Sequence, residues 1–290
     1  MIGVSVPDGF GVGDLATRWV FDPIVVLSIT LTAWLYVAGL RRLRASGRPF
    51  PRRWAAAWFA GLGAITLALV SPVDAYADAT LWVHMVQHLL LTLVAPPLLA
   101  LGAPVTLALR AASPEARRRW LVPVLRSRPV AVLANPVVGW ALFVGAPFAI
   151  HFSPLFDLAL RNDAVHAAEH ALWLGTAIVY WWPIVGRDPT PHRMGYPARM
   201  LSMILTMPAT SFAALALYGA SAPLYPAYAA LPAPWGPEAL GSQRVAAVIM
   251  WLVGNLAMVL AMLVVAAAWR RDEERRADGV ALVASPSTPG

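Results

Sequence analysis

Two pairs of histidines, each with a spacing of four residues, are the strongest chemical signal in the sequence. His84 and His88 occur in the segment HMVQH, and His166 and His170 occur in the segment HAAEH. Residues i and i+4 lie one turn apart on the same face of an α-helix, with Cβ atoms about 5–6 Å apart, so each pair can bind one metal ion. Imidazole suits copper, zinc, iron and nickel, and the spacing therefore predicts a transition-metal site without choosing the metal.

Other candidate ligands accompany these pairs. Gln87 and Glu169 stand at position i+3 of each pair and are expected on the same helix faces, and His151 is expected at the same depth as a further nitrogen. Met250 is the methionine that we consider as an additional soft ligand. The predicted metal site consists of His84, His88, His166, His170, His151 and Glu169. One sequence does not determine whether the two histidine helices are neighbours.

Three other interpretations of the histidines stay open. Histidines inside a membrane can form hydrogen bonds between helices and so stabilise a bundle. The segment HAAEH also fits the H-x-x-E-H pattern of zinc metallopeptidases, in which Glu169 would be the general base. Two imidazoles can also hold a haem iron, although no other feature of the sequence indicates a porphyrin site.

The composition predicts which kind of element carries these residues. The chain has 290 residues, of which 59% are hydrophobic and only 13% are charged, and it contains no cysteine. Soluble proteins usually have about 25% charged residues. All 22 basic residues are arginines in short clusters between apolar segments, a pattern typical of membrane topology and not of nucleic-acid binding. The sequence therefore predicts an integral membrane protein.

Apolar segments of about 20 residues are long enough to cross a bilayer as helices. The sequence contains seven of them, which predicts an all-α, polytopic membrane protein with a seven-helix bundle at residues 23–269. The predicted spans are Pro23–Leu40, Trp54–Val70, Ala79–Leu101, Val130–Ile150, Ala164–Trp182, Met200–Gly219 and Val245–Trp269. Residues 1–22 are expected outside the cytoplasm, and residues 270–290 are predicted as a disordered cytoplasmic tail.

The arginines also predict the orientation of the bundle. In the seven-span arrangement, 19 of the 22 arginines lie in loops on one side or in the C-terminal tail. Arginine-rich loops stay in the cytoplasm, so the N-terminus is expected outside and the C-terminus inside. Both histidine pairs and His151 then lie in the outer leaflet, and His192 lies in a cytoplasmic loop.

Prolines predict irregular places in two of these helices and a stiff outer loop. Pro96-Pro97 and Asn135-Pro136 are expected to kink the third and the fourth span. The loop before the last span carries Tyr225, Tyr228 and Trp235 among several prolines, and we expect it to form an aromatic cap at the membrane surface.

The chain resembles the CtaG family of cytochrome c oxidase assembly factors, which is linked to caa-type oxidases. The resemblance is strongest in the segments SPVD at 71–74, HMVQHLLL at 84–91, APPLL at 95–99 and LGAP at 101–104. It continues through Asn135-Pro136, His151, the segment HAAEH and Trp181-Trp182-Pro183. In the last helix Ser242 and Ala247 replace the Asp and the Gly of the family pattern.

The resemblance implies a function as well as a fold. It implies a non-enzymatic role in maturing a haem-copper oxidase, through copper delivery or assembly of the copper site, with oxidase subunits and the lipid bilayer as partners. It also implies a location in the bacterial plasma membrane. Copper is therefore the metal expected at the histidines, with zinc as the alternative, and an intramembrane zinc metallohydrolase is the alternative function.

Overall fold

The computed structural model describes residue 11 and residues 13–231 and 236–284, and this described part is helical and contains no strand. Trp235 of the predicted cap and residues 1–10, 12 and 285–290 lie outside the described residues. The main helices are α1 Pro23–Ala45, α2 Arg52–Leu69, α3 Leu81–Leu89, α4 Ala95–Leu101, α5 Pro104–Ala111, α6 Pro136–His151, α7 Asp163–Val185, α8 Tyr196–Gly219 and α9 Ala239–Ala284. A short helix precedes α1 at Asp14–Thr17, and further short helices lie between the main helices at Pro72–Ala77, Pro114–Ala116, Val122–Leu125, Arg128–Leu133, Leu155–Ala159 and Pro226–Ala229.

Five helical segments are long and apolar enough to cross a membrane. They are Pro23–Ala45, Arg52–Ala77, Leu81–Ala111, Tyr196–Gly219 and Ala239–Asp278. These segments confirm an all-helical, multi-pass membrane protein. The number seven stays a prediction, because α6 and α7, which correspond to the fourth and fifth predicted spans, are not among the five.

Two different features set α6 and α7 apart from the five segments. The fourth predicted span is divided at Asn135-Pro136, where a new helix begins instead of a kink. Asn135 Oδ1 accepts hydrogen bonds from the backbone N–H groups of Val137 and Val138 and so caps α6, which is apolar but has only 16 residues. By contrast, α7 has 23 residues, but its first two turns contain the ionisable residues of the candidate site.

The C-terminal helix α9 corrects the prediction of a disordered tail. It continues without a break to Ala284 and has 46 residues, so residues 270–284 of the predicted tail are helical. Salt bridges with helical spacing, such as Arg270–Glu274 and Arg276–Glu273, lie along this segment and support the helix. At 1.5 Å per residue α9 is about 69 Å long, more than twice the thickness of a bilayer core.

A π-helical turn at Leu90–Val94 joins α3 to α4, just ahead of the predicted kink at Pro96-Pro97. Neither proline has an N–H group, so the helix cannot supply the usual donor for the carbonyl of Thr92, four residues before Pro96. The indole Nε1 of Trp181 in α7 donates to this carbonyl over 2.9 Å, and the bond is buried. The two prolines after α3 therefore leave a carbonyl without a donor in its own helix, and α7, which carries the other histidine pair, binds to this carbonyl.

The buried core around the candidate site is formed by five main helices and two shorter connecting segments. Residues of α3, α6, α7, α8 and α9 pack together with the loop that carries the two buried tyrosines. The main members of this core are Leu81, Met85, Ile150, Phe156, Trp173, Leu217, Tyr225, Tyr228 and Met250. A second core holds α1, α2, α4 and α5 together with Leu91 of the segment that follows α3.

Replacing Trp181 with Phe tests the attachment of α7. The variant removes the donor for the Thr92 carbonyl and leaves a buried acceptor unsatisfied, so we expect a loss of about 1–3 kcal/mol in the free energy of unfolding. Unfolding of the detergent-solubilised protein by denaturant measures this loss. Trp182→Phe is the matched control, because Trp182 Nε1 is buried and has no hydrogen-bond partner among the described residues. Equal stabilities of the two variants would contradict a stabilising hydrogen bond between Trp181 and the Thr92 carbonyl.

Candidate metal centre

The structure brings the two histidine pairs together. The ring of His84 in α3 has its centroid 5.4 Å from that of His166 and 6.2 Å from that of His170, both in α7. The His88 and His170 rings are 6.1 Å apart. The first turns of α7, which begin after the cap by Asn162, thus lie beside the histidine turn of α3. The two histidine helices, α3 and α7, are therefore neighbours, which the sequence alone did not determine.

The side chains form two overlapping groups, each of which could hold a metal ion. His84, His166 and His170 form one group, and His84, His88 and Glu169 form the other. Within each group, one ligand atom from each residue lies within 4.8 Å of the others. His166 and His170 are partly buried, whereas His84, His88 and Glu169 are 0%, 3% and 4% exposed. The first group is the outer group and the second is the inner group, named by their burial.

The inner group is held by short polar contacts. His84 Nε2 and His88 Nε2 are 2.8 Å apart, a hydrogen-bond distance, and His88 Nε2 is 3.5 Å from Glu169 Oε1. Trp173, one turn after Glu169, donates its indole N–H to the same Oε1 over 3.1 Å. The carboxylate therefore lies among the histidines as a ligand would and has its orientation fixed by its own helix.

Several polar atoms of the cluster have no partner, although buried polar atoms are nearly always hydrogen-bonded. Among the described residues, four such atoms of the cluster are buried without a hydrogen bond. They are Nδ1 of His88, Nε2 of His166, Nε2 of His170 and Oε2 of Glu169. All four can donate a lone pair, so the donor set fits a bound metal ion better than a finished network of hydrogen bonds between helices.

Tyr228 fixes the protonation of His84. The hydroxyl group of Tyr228 donates to the backbone carbonyl of Ala77 over 2.6 Å and lies 3.0 Å from His84 Nδ1. Because the single hydroxyl hydrogen is used by the carbonyl, Nδ1 of His84 must donate to the hydroxyl oxygen. The lone pair of neutral His84 is then on Nε2, the nitrogen that faces His88. This partner orients a metal ligand in the way that is usual around metal-binding histidines.

His151 lies beside the two groups and belongs to neither. Its ring centroid is 6.0 Å from that of His88, and its Nδ1 is 3.0 Å from the hydroxyl of Tyr225. The ring of Phe156 fills the space between the imidazoles, 5.1 Å from His84 and 5.0 Å from His151 between centroids. The prediction that His151 is a direct ligand therefore stays a prediction.

The roles of Tyr225, Tyr228 and Phe156 were not predicted from the sequence. The two tyrosines were expected in an aromatic cap at the membrane surface, but both are buried and contact histidines. Tyr225 stands immediately before the short helix Pro226–Ala229 and Tyr228 lies within it, so their spacing of three residues at a helix start is the signal in the sequence that they lie close together. For Phe156 the sequence contains no signal beyond its apolar side chain.

Gln87 and His192 are not part of the cluster. The side-chain amide of Gln87 donates to the carbonyl of Ala68 and to Asp74 Oδ1, so it binds α3 to the preceding helices instead of joining the histidines. This corrects the expectation that Gln87 accompanies them. His192 lies in the loop between α7 and α8, as predicted, and its Nε2 is 3.1 Å from the carbonyl of Ala131.

An apolar, all-helical chain with a buried histidine cluster between its helices is a multi-pass membrane protein with a candidate metal centre. Residues 34–272 match the family described as cytochrome c oxidase caa3 assembly factor, and the chain belongs to this family. The match confirms the resemblance found in the sequence. The described role of the family is assembly and not catalysis, as sequence analysis predicted, and it does not support the zinc hydrolase alternative.

Curated relatives are similar over almost the whole chain. The uncharacterized protein Mb0105 of Mycobacterium bovis is 31% identical over 281 residues, which are 94% of this chain and 42% of the relative. The uncharacterized protein ML1998 of Mycobacterium leprae is also 31% identical over 281 residues, or 94% of this chain and 43% of the relative. The chain thus spans less than half the length of these curated relatives. No solved structure matches the chain.

Replacing Tyr228 with Phe tests the fixed protonation of His84. The change leaves the Ala77 carbonyl and the Nδ1–H group of His84 without a partner, and we expect about 1–3 kcal/mol less stability. Denaturant unfolding measures the loss, and ¹⁵N NMR of labelled histidine reports whether the Nδ1–H form of His84 persists. Tyr218→Phe, at a half-exposed position on α8, is the control. An unchanged NMR signal of His84 in Tyr228→Phe would contradict the assignment.

Proposed function

We propose that this chain acts as an assembly factor for a caa3-type cytochrome c oxidase, in which it binds copper as cargo at the histidine cluster and passes it to oxidase subunits. Family membership supports the oxidase as the partner. The convergence of two ligand groups on His84, with unpaired donor atoms around it, is the observation that carries the metal part of the proposal. Copper is favoured over zinc because a haem-copper oxidase must receive copper, and imidazole binds this metal strongly.

The burial of the cluster argues for a metal over a structural role. Ionisable side chains inside a membrane are costly and usually mark a functional site. If the histidines only joined helices, their polar atoms would be expected to satisfy one another. Instead, Nε2 of His166 and of His170 are left without partners among the described residues, on the more accessible side of the cluster. A metal ion that must arrive and leave would first meet these two nitrogens.

We also infer seven membrane crossings, with the N-terminus outside and the C-terminus in the cytoplasm of a bacterial plasma membrane. The five long apolar segments support this topology. The apolar helix α6 packs against α7 and against Tyr196–Gly219, and α7 packs against the segment Leu81–Ala111. The large excess of arginine in alternate loops supports the orientation. In this arrangement the histidine cluster lies in the outer leaflet, the side on which the copper centres of such oxidases lie.

Metal analysis of the purified protein tests the cluster. We expect the wild type, loaded with copper and passed over a desalting column, to retain it, and the quadruple variant His84→Ala, His88→Ala, His166→Ala, His170→Ala to retain about tenfold less or lower still. The variant removes four of the imidazole donors but leaves the helix caps and the Trp181 bond intact. Inductively coupled plasma mass spectrometry gives copper and zinc per chain.

The control for this experiment is His192→Ala, which removes a histidine outside the cluster and is expected to retain copper like the wild type. Circular dichroism and gel filtration in detergent show whether the quadruple variant is folded. Equal copper in a folded quadruple variant and the wild type would refute the metal site, as would a wild type that retains neither copper nor zinc. Retention of zinc, with no retention of copper, would support the alternative metal.

Single cysteines introduced into the cysteine-free chain test the topology. Ser221→Cys, in the exposed loop after α8, is expected to react with a membrane-impermeant maleimide in intact cells, because this loop faces outside in the proposed orientation. Ser46→Cys, in the exposed turn after α1, is expected to react only after the membrane is opened. The reverse labelling pattern would invert the topology, and labelling of both in intact cells would contradict an odd number of crossings between them.

A further inference from the structure

A small cavity lies next to His88 of the inner group, and neither His166 nor His170 is among the described residues that line it. Its volume is about 50 Å³, enough for an ion or for one or two water molecules. It extends along α3 from His88 past Thr92, the residue one turn later. Methionines from two helices line it, namely Met85 from α3 and Met250 and Met258 from α9. All three methionines are buried.

Two imidazoles border this cavity. His88 and His151 both line it, and their ring centroids are 6.0 Å apart, a separation at which both can bind one ion between them. His88 Nε2 faces the inner group, and its Nδ1 is buried without a partner among the described residues. His151 Nδ1 contacts the hydroxyl of Tyr225, which leaves Nε2 as its free nitrogen. Each ring thus has a nitrogen that the rest of the site does not use.

The chemistry of the lining favours one oxidation state of copper. Thioethers are soft ligands that select Cu(I), and imidazole binds copper in either state. No acidic residue is among the described residues that line the cavity. The cost of burying an ion in a medium of low dielectric constant rises with the square of its charge, so a monovalent ion is far less costly here than a divalent one. The cavity therefore disfavours Zn²⁺ and Cu²⁺.

We propose that this cavity is a second metal position, selective for Cu(I), in which His88 and His151 bind the ion together with the thioethers of Met85, Met250 and Met258. The inference rests on the proposed function, in which copper first meets the histidines of the outer group. His88 belongs to the inner group through Nε2 and borders the cavity, so it links the two positions. Copper then moves from a ligand set of nitrogen and oxygen to one of nitrogen and sulfur without leaving the protein.

The alternative role of the methionines is packing, since their flexible side chains fill irregular spaces in cores. Substitution by leucine separates the two roles, because leucine nearly conserves the volume and removes only the sulfur. The test variant is the triple change Met85→Leu, Met250→Leu, Met258→Leu in the full chain. The matched control is Met203→Leu, which changes a fully buried methionine of α8 that does not line the cavity.

Anaerobic titration of the detergent-purified protein with Cu(I), in competition with a Cu(I) chelator, counts the ions, and X-ray absorption at the copper edge identifies their ligands. We expect two Cu(I) per chain with a sulfur contribution for the wild type and for Met203→Leu. We expect one Cu(I), bound by nitrogen and oxygen only, for the triple variant. Titration with Zn²⁺ is expected to give one ion per chain in all three proteins.

The outcomes separate this inference from the function on which it rests. A wild type that binds one Cu(I) without sulfur ligands would overturn the second position and leave the histidine site intact. A wild type that binds no copper would overturn both. If the triple variant does not fold, selenomethionine-labelled wild type replaces it: copper–selenium scattering at the selenium edge would support the position, and its absence would overturn it.

Discussion

The hydrogen bond between Trp181 and the carbonyl of Thr92 is the constraint on which the arrangement of the site depends. Pro96 and Pro97 remove two N–H groups from the helix that carries His84 and His88, and in a medium without water a carbonyl left without a donor is costly. The indole of α7 satisfies it. This bond joins the histidine helices about one turn from His88, and it does so only when α7 is in one position along its axis.

The rest of the site adds orientation to this position. Tyr228 directs the lone pair of His84 toward His88, and Trp173 holds the carboxylate of Glu169 on the same side. Both partners are neutral hydrogen-bonding groups on apolar side chains, which suits a buried environment. The candidate ligands are therefore oriented by the protein itself, and in the proposed function the free energy of copper binding would not be spent on ordering them.

Local patterns in the sequence predicted much of this site. The spacing of four residues places His84 beside His88 and His166 beside His170 on any helix, and Glu169 follows from the same rule. Contact between the pairs was not predictable, because it depends on the docking of Trp181 over a distance of 89 residues in sequence. The inward direction of Tyr225 and Tyr228 was missed for a similar reason, since aromatic residues near an apolar helix are equally typical of a membrane surface.

The fold shows the same division between local and distant causes. The helix caps at Asn135 and Asn162 are local, because each side chain accepts hydrogen bonds from N–H groups two and three residues later. The first cap was nevertheless interpreted as a kink at Asn135-Pro136. The helical continuation of α9 was missed because its charged composition was weighed above the (i, i+4) spacing of those charges. The one misplaced ligand candidate, Gln87, lies on the expected turn, but the carboxylate of Asp74 and the carbonyl of Ala68 compete for its amide.

The polar content of α7 has a consequence for biogenesis. A segment that begins with Asp163 and contains two histidines and Glu169 partitions poorly from the translocon into lipid by itself. In the proposed seven-span topology, the earlier spans offer the Thr92 carbonyl and the imidazoles of α3 as polar partners, so α7 is expected to enter the bilayer most favourably alongside them. Under that proposal, the histidine pair that is synthesised first would act as a template for the insertion of the second pair.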